Sequence, residues 1–305
     1  MERKINVLVC SSAKEEMWKL TKEEGLHITY AYRGHYSNIC SVVGKIWRKL
    51  KLPFCQIWYS KKVKDLTGVC VLMDADTTPE YCEWLIKNNR ADRMIYYYWN
   101  AYEPHKISPD ALKKMGYEVW SFDPENCKEY DLKYNEEFYC RSWYKGLENI
   151  EVKYDIGFIG RDKNGRMEQV EALKKRFSDQ DISWDLYFTA NKWYQRFWNK
   201  KYRAYLKFGG MLRKEMEYGA LLDYSQSAQS SITCRVYDAI CNSRKVVTNN
   251  KEIRKAAYYS PENIFILDYD DDSRLSEFLK TPFRKIDDEI MRKKSFTGWK
   301  SRFFT

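Results

Sequence analysis

No stretch of the 305-residue sequence approaches the roughly 20 apolar residues that a bilayer-spanning helix needs. The opening MERKINVLVCSSAKEE has too short an apolar run and too many acids for a secretory signal, so a cytoplasmic location is expected. Histidine is scarce, with three copies set far apart, and none of the nine cysteines forms a CxxC pair. These gaps argue against a zinc site and a disulfide framework; buried reduced thiols are expected, with no metal and no cofactor. There is no short-period repeat and no low-complexity tract, and acids interleave with bases along most of the chain, which argues against long disorder.

What is present is a hydrophobic fraction of 44%, enough for a substantial core, in a length that suits two domains or one large one. Net charge is +10, with 25 Tyr and 11 Trp. Excess base points to a polyanionic partner such as phosphate, anionic lipid or nucleic acid. Tyr and Trp, each with an apolar face and a polar tip, suit membrane interfaces and sugar-binding surfaces.

Along the chain, short apolar runs alternate with amphipathic segments. Strands are expected at 4–9, 68–74, 93–99 and 118–122, and helices at 78–89, 109–115 and 124–130, the last with Asp123 as N-cap. The rhythm breaks in the polar and aromatic stretch 136–152, read as a linker. It resumes with strands at 154–159, 183–188, 220–223, 245–248 and 264–267, helices at 164–177, 232–241 and 251–258, and a helical tail. Strand–helix–strand alternation predicts parallel sheets covered by helices. The expected layout is two Rossmann-like α/β domains, 1–135 and 153–285, facing across a cleft, followed by a tail over 286–305.

In such sheets ligands bind beyond the carboxyl ends of the strands. Gly157 and Gly160 would let a backbone come close to a ligand, and Arg161 offers a fork of donors for phosphate; a plain strand-to-helix turn explains the same residues equally well. The segment 225–250, SQSAQSSITCRVYDAICNSRKVVTNN, is more specific. Ser230, Ser231 and Thr233 fall where a helix begins, and a helix N-terminus is a ready diphosphate site. Arg235 lies in the first turn, Asp238 one turn on could accept from a ribose, and the strand 245–248 ends in Thr248-Asn249-Asn250. A capped core helix with a surface Arg–Asp pair is the alternative.

The runs Gln229-Ser-Ser-Ile232-Thr233-Cys-Arg235, Asp238-Ala239-Ile240 and Lys245-Val-Val-Thr248-Asn249-Asn250 resemble the donor-binding segment of bacterial lipopolysaccharide and polysaccharide biosynthesis proteins. That family carries Gln-x-Gly-Leu-Thr-x-Arg, Glu-Ala-Leu and Lys-Lys-Leu-Ile-Thr-Thr-Asn there. Tyr98-Trp99-Asn100, Trp120-Ser121-Phe122-Asp123, Lys133-Tyr134-Asn135 and Phe138-Tyr139 extend the resemblance into the first half. It departs where Ser231 replaces the glycine, Asp238 the longer Glu, and Asn249 the second Thr. The family is similar to GT-B glycosyltransferases, whose C-terminal domain binds a sugar nucleotide. The resemblance implies transfer from a nucleotide-sugar, a UDP-sugar being the first expectation, to a glycan or glycolipid acceptor. Gly160, Arg161, Gln229, Ser231, Thr233, Arg235, Asp238 and Asn249 would hold the donor.

The acceptor half should supply a base. Asp74, Asp76 and Asn100 follow expected strands, and a carboxylate there could take the proton of an attacking hydroxyl; equally, the two Asp could belong to a loop capping the helix 78–89. Asp74-Ala-Asp76 also fits the DxD pattern with which GT-A enzymes hold a metal, though a GT-A layout leaves the restart at Tyr154 unexplained. In 42–52 (VVGKIWRKLKL) an apolar helical face is bordered by bases, the form of a helix lying on an anionic membrane or of a core helix with a solvated basic face. The segment 192–214 holds eight Lys or Arg and no acid, interleaved with aromatics. Such a stretch could stack on single-stranded nucleic acid, but no nucleic-acid-binding motif accompanies it, so no nucleic acid partner is expected. Metal-independent transfer at the inner face of a membrane is the expected activity. A non-catalytic transferase-like or nucleic-acid-binding module is the rival.

Overall fold

The protein is described here by a computed structural model covering residues 5–10, 15–21, 27–33, 38–50, 52–192, 194–225 and 231–304. Gln229 and Ser230, two of the residues singled out in the sequence, lie outside the described residues. The chain divides into two compact units, Met1–Glu136 together with Arg302–Thr305, and Glu137–Ser301.

The first unit is built on strands β1 (Ile5–Val9), β2 (His27–Tyr30), β3 (Val69–Met73), β4 (Arg93–Tyr98), β5 (Glu118–Ser121) and β6 (Lys133–Tyr134), in the order β2-β1-β3-β4-β5-β6. Every pairing between them is parallel. β1 and β3 are buried at all five positions, as strands covered on both faces must be. The helices are α1 (Glu15–Thr21), α2 (Asn38–Lys49), α3 (Pro79–Asn88), α4 (Pro109–Met115) and α5 (Pro124–Glu129). The last three start alike. Thr78, Ser108 and Asp123 cap them, each accepting from the N–H three residues on, at 3.2, 3.3 and 2.9 Å, and a proline follows each cap where no N–H is needed.

The second unit holds β7 (Tyr154–Arg161), β8 (Trp184–Thr189), β9 (Tyr218–Asp223), β10 (Lys245–Thr248) and β11 (Ile264–Ile266), again all parallel, in the order β11-β10-β9-β7-β8. Its helices are α6 (Arg166–Arg176), α7 (Gln195–Trp198), α8 (Phe208–Glu215), α9 (Cys234–Cys241), α10 (Leu275–Lys280), α11 (Asp288–Lys294) and α12 (Phe296–Arg302). Alternate strand residues go to opposite faces. Phe158, Leu222 and Val247 pack with Val170 and Leu173 of α6, whereas Ile159, Leu221 and Val246 pack with Val236, Tyr237 and Ile240 of α9. The stretch 137–152 counts with this unit, and Phe138, Tyr139, Trp143 and Tyr144 within it are buried. Among the described residues, no helix is long and apolar enough to cross a membrane.

Candidate functional site

Strand order gives the second unit one candidate crevice. The chain passes from β7 to β8 on one side, then returns to lay β9 on the other side of β7. The connections leaving β7 and β9 therefore diverge to opposite faces, into α6 and α9, and open a crevice at the carboxyl ends of these strands.

Asp223, the last residue of β9, organises that crevice. Its carboxylate is buried and accepts from the hydroxyls of Thr233 (2.8 Å) and Thr248 (3.2 Å), with the Arg235 guanidinium 3.5 Å away. Thr233 stands at the N-cap of α9, but its hydroxyl turns to Asp223 and does not cap the helix. Arg235 also donates to the Ile159 carbonyl at 2.9 Å and lies over the Phe158 ring, which ties α9 to β7. Asn249 clamps the loop after β9, accepting from Ser225 N (2.9 Å) and donating to Ser225 O (2.7 Å). Asn250 donates to the Ser231 carbonyl at 3.2 Å. The Ser231 hydroxyl, buried where the resembling family has glycine, has no hydrogen-bond partner.

Across the crevice, in the first turn of α6, is Arg166. Burial, then the nearby Arg235 charge, lower its pKa, while Asp223 and Asp162 pull the other way. Its Nε is buried without a partner. A Cβ added at Gly160 would meet the Phe158 ring at 2.8 Å, so the glycine makes room for that ring, with the Arg166 guanidinium 3.9 Å from the same point. Arg161 is exposed at the strand end. Two guanidinium groups thus crowd one strand-end crevice, one of them with an unused buried donor, next to a helix start that its own Thr233 does not cap.

Gly160, Ser231, Thr233, Arg235 and Asn249 are gathered at this edge. Asp238 faces elsewhere. It is buried with Glu215, Tyr144 and Cys241, and its Oδ1 and the Glu215 Oε2 lack hydrogen-bond partners. Burial raises the pKa of both carboxyl groups; Glu215 is pushed further by Asp238, while Tyr144 and then Arg235 restrain Asp238. Asp223 and Arg166 were missed in the sequence. The signal for Asp223 was the acid closing the apolar run GALLD, and for Arg166 the first turn of the helix after a glycine-bearing strand.

The carboxyl edge of the first sheet carries the other predicted residues. Asp74 is buried and accepts from Trp99 N (3.2 Å) and Lys106 Nζ (2.9 Å). Lys106 also donates to the Asn100 carbonyl at 3.0 Å, which brings these two predicted residues together. Asp76 adopts a left-handed conformation (φ 59°), and its carboxylate is 41% exposed with Lys45 at 3.5 Å. The paired-carboxylate metal reading needs both groups open to one cation, and Asp74 is already enclosed by its lysine. In 192–214 some of the basic charge is structural, since Arg203 (3.0 Å) and Lys214 (2.8 Å) both pair with buried Asp185.

No family model matches the sequence. No curated protein matches it either. Among solved structures the chain is similar to HepE of Anabaena, in complex with UDP and glucose, at 10% identity and TM-score 0.52 over 99% of this chain and 98% of that one. It is similar to AviGT4, a glycosyltransferase involved in avilamycin A biosynthesis, at 11% identity and TM-score 0.53 over 98% and 96%. A glycosyltransferase from Rickettsia africae aligns at 11% identity and TM-score 0.50 over 100% and 97%. With two parallel α/β sheets and likeness over the full length of these structures, the chain has the two-domain α/β GT-B fold.

Proposed function

We propose that this protein is a glycosyltransferase that takes a sugar from a nucleotide-sugar, with the donor's diphosphate at the β7/β9 crevice. The observation that carries the reading is the Arg166–Arg235 pair with its unused buried donor. A diphosphate would answer that donor and separate two like charges. The chemical barrier in such a transfer is the charge growing on the leaving diphosphate, and fixed guanidinium and N–H donors in a partly dry crevice stabilise it. A uridine donor is the first choice, supported by the UDP bound to HepE.

A surface polysaccharide or lipid-linked glycan is the proposed acceptor class, supported by the sequence resemblance around Thr233, Arg235, Thr248 and Asn250. On the first unit, Asp76 is the carboxylate open enough to receive an acceptor's proton, and Asp74, held by Lys106, shapes the loop beside it. Transfer proceeds without a divalent metal on this reading, because Asp74, one of the two DxD carboxylates, is already enclosed by Lys106. Thermal unfolding with UDP, GDP, CDP and TDP tests the donor site. A midpoint raised by one nucleoside diphosphate, and raised less in Arg166→Ala, supports the assignment; no shift with any of the four overturns it.

A further inference from the structure

α2 is placed the wrong way round for a core helix. At 100° per residue Ile39, Val42, Val43, Ile46 and Leu50 share one stripe about 100° wide, and all five are exposed, Ile39 to 77% and Leu50 to 63%. The opposite side is the one that packs. Gly44 is buried against the Trp58 ring, where an added Cβ would come within 2.9 Å, and Arg48 lies 3.6 Å from the centre of the Tyr32 ring. The apolar surface continues past the helix through Phe54 and Ile57, exposed to 80% and 52%. Phe54 holds a left-handed backbone (φ 61°), unusual for a bulky residue, with its ring turned to solvent.

Along this stretch of chain the charge has one sign, although two acids reach its surface from elsewhere, Asp76 at 3.5 Å from Lys45 and Glu80 in the depression shared with Arg48 and Phe54. Between Glu24 and Asp65 the sequence has no acid and eight Lys or Arg. Lys45 borders the stripe with its side chain 66% exposed, and Lys61, Lys62 and Lys64 follow in the next segment, also exposed. An apolar stripe beside cations matches the layered chemistry of an anionic leaflet, hydrocarbon beneath phosphate, whereas a protein partner would have to supply an acidic rim around an apolar groove.

We propose that α2 and the segment through Ile57 form a membrane-docking surface that lies in the interface of an anionic bilayer. The assignment does not depend on what the β7/β9 crevice binds. Co-sedimentation tests it, using vesicles of phosphatidylcholine alone and vesicles that also contain phosphatidylglycerol, with the full chain and a Val42→Asp/Ile46→Asp double variant. Both substitutions sit on exposed positions, and an unchanged unfolding midpoint checks that the variant is folded. If it is not folded, Phe54→Ser/Ile57→Ser takes its place. The expected result is binding to the phosphatidylglycerol vesicles only, weakened by high salt, and reduced at least tenfold in the variant. Equal binding by the variant, or no binding by the unmodified protein to either vesicle, overturns the proposal. So does a dimer that the variant converts to monomer without any vesicle binding, which would make this face a contact between copies of the chain.

Discussion

At the scale of single residues, the arginine pair and the buried carboxyl pair lead to different experiments. Arg235 contacts Asp223 and the Ile159 carbonyl and leaves part of its charge directed at the crevice, while Arg166 keeps an unused donor. A charge-assisted hydrogen bond contributes about 1.5–3 kcal/mol. Arg166→Ala should therefore weaken nucleotide affinity at least tenfold in calorimetric titration with little loss of stability. Arg235→Ala should weaken it similarly and also lower stability, because it leaves Asp223 buried with only its two threonine hydroxyls. Glu215 behaves otherwise. Its folded-state pKa is raised by burial and by Asp238, so the native protein keeps a proton that the unfolded chain gives up. Stability falls as pH rises out of the ordinary carboxylate range toward that raised value, and the penalty vanishes below that range. Glu215→Gln should raise the urea midpoint near pH 8 and change it little near pH 4. An equal change at both pH values would mean that the carboxyl is not held neutral.

At the scale of elements, the strands were the most legible part. A parallel strand covered on both faces reads as an unbroken apolar run, so 93–99 became Arg93–Tyr98 and 245–248 became Lys245–Thr248. β2 was missed because HITY is short and polar, and α8 because Gly209 and Gly210 dilute its helical pattern. The helix expected over 251–258 forms only as the tight turn Lys251–Lys255, where Asn250 caps the start by accepting from Glu252 N. Of the candidate site, the N-terminal region of α9 was visible as hydroxyls followed by Arg235. Its partners across the crevice were not, since only strand order brings β7 beside β9. Gly157 shows the same limit. The sequence suggested room for a ligand, but the face of β7 at Gly157 meets the Tyr218 ring of β9, which would lie 2.0 Å from an added Cβ. The ring cannot yield easily, because its hydroxyl donates to Asp185 at 3.0 Å. Gly157→Ala should destabilise the second unit by about 1–3 kcal/mol or more, read as a lower urea midpoint.

At the scale of the whole molecule, the first unit is completed by residues from the far end of the chain. Phe303 is buried, with its ring centre 5.0 Å from that of Trp120 and 6.1 Å from that of Tyr97; its carbonyl accepts from Arg93, and Arg302 donates to the Asn135 side chain. Phe303→Ala should cost the first unit about 3–5 kcal/mol, the range for truncating a buried aromatic, and a separate early unfolding transition in that unit would report it. Nucleotide affinity, if it resides in the β7/β9 crevice, should not change. The arrangement also sets an order of events during synthesis. Arg93, Trp120 and Asn135 leave the ribosome long before Phe303, with all of Glu137–Ser301 made in between. Through that interval the newborn first sheet holds an apolar socket with nothing to fill it. The half of the protein that is translated first therefore cannot complete its core until Phe303 has been made.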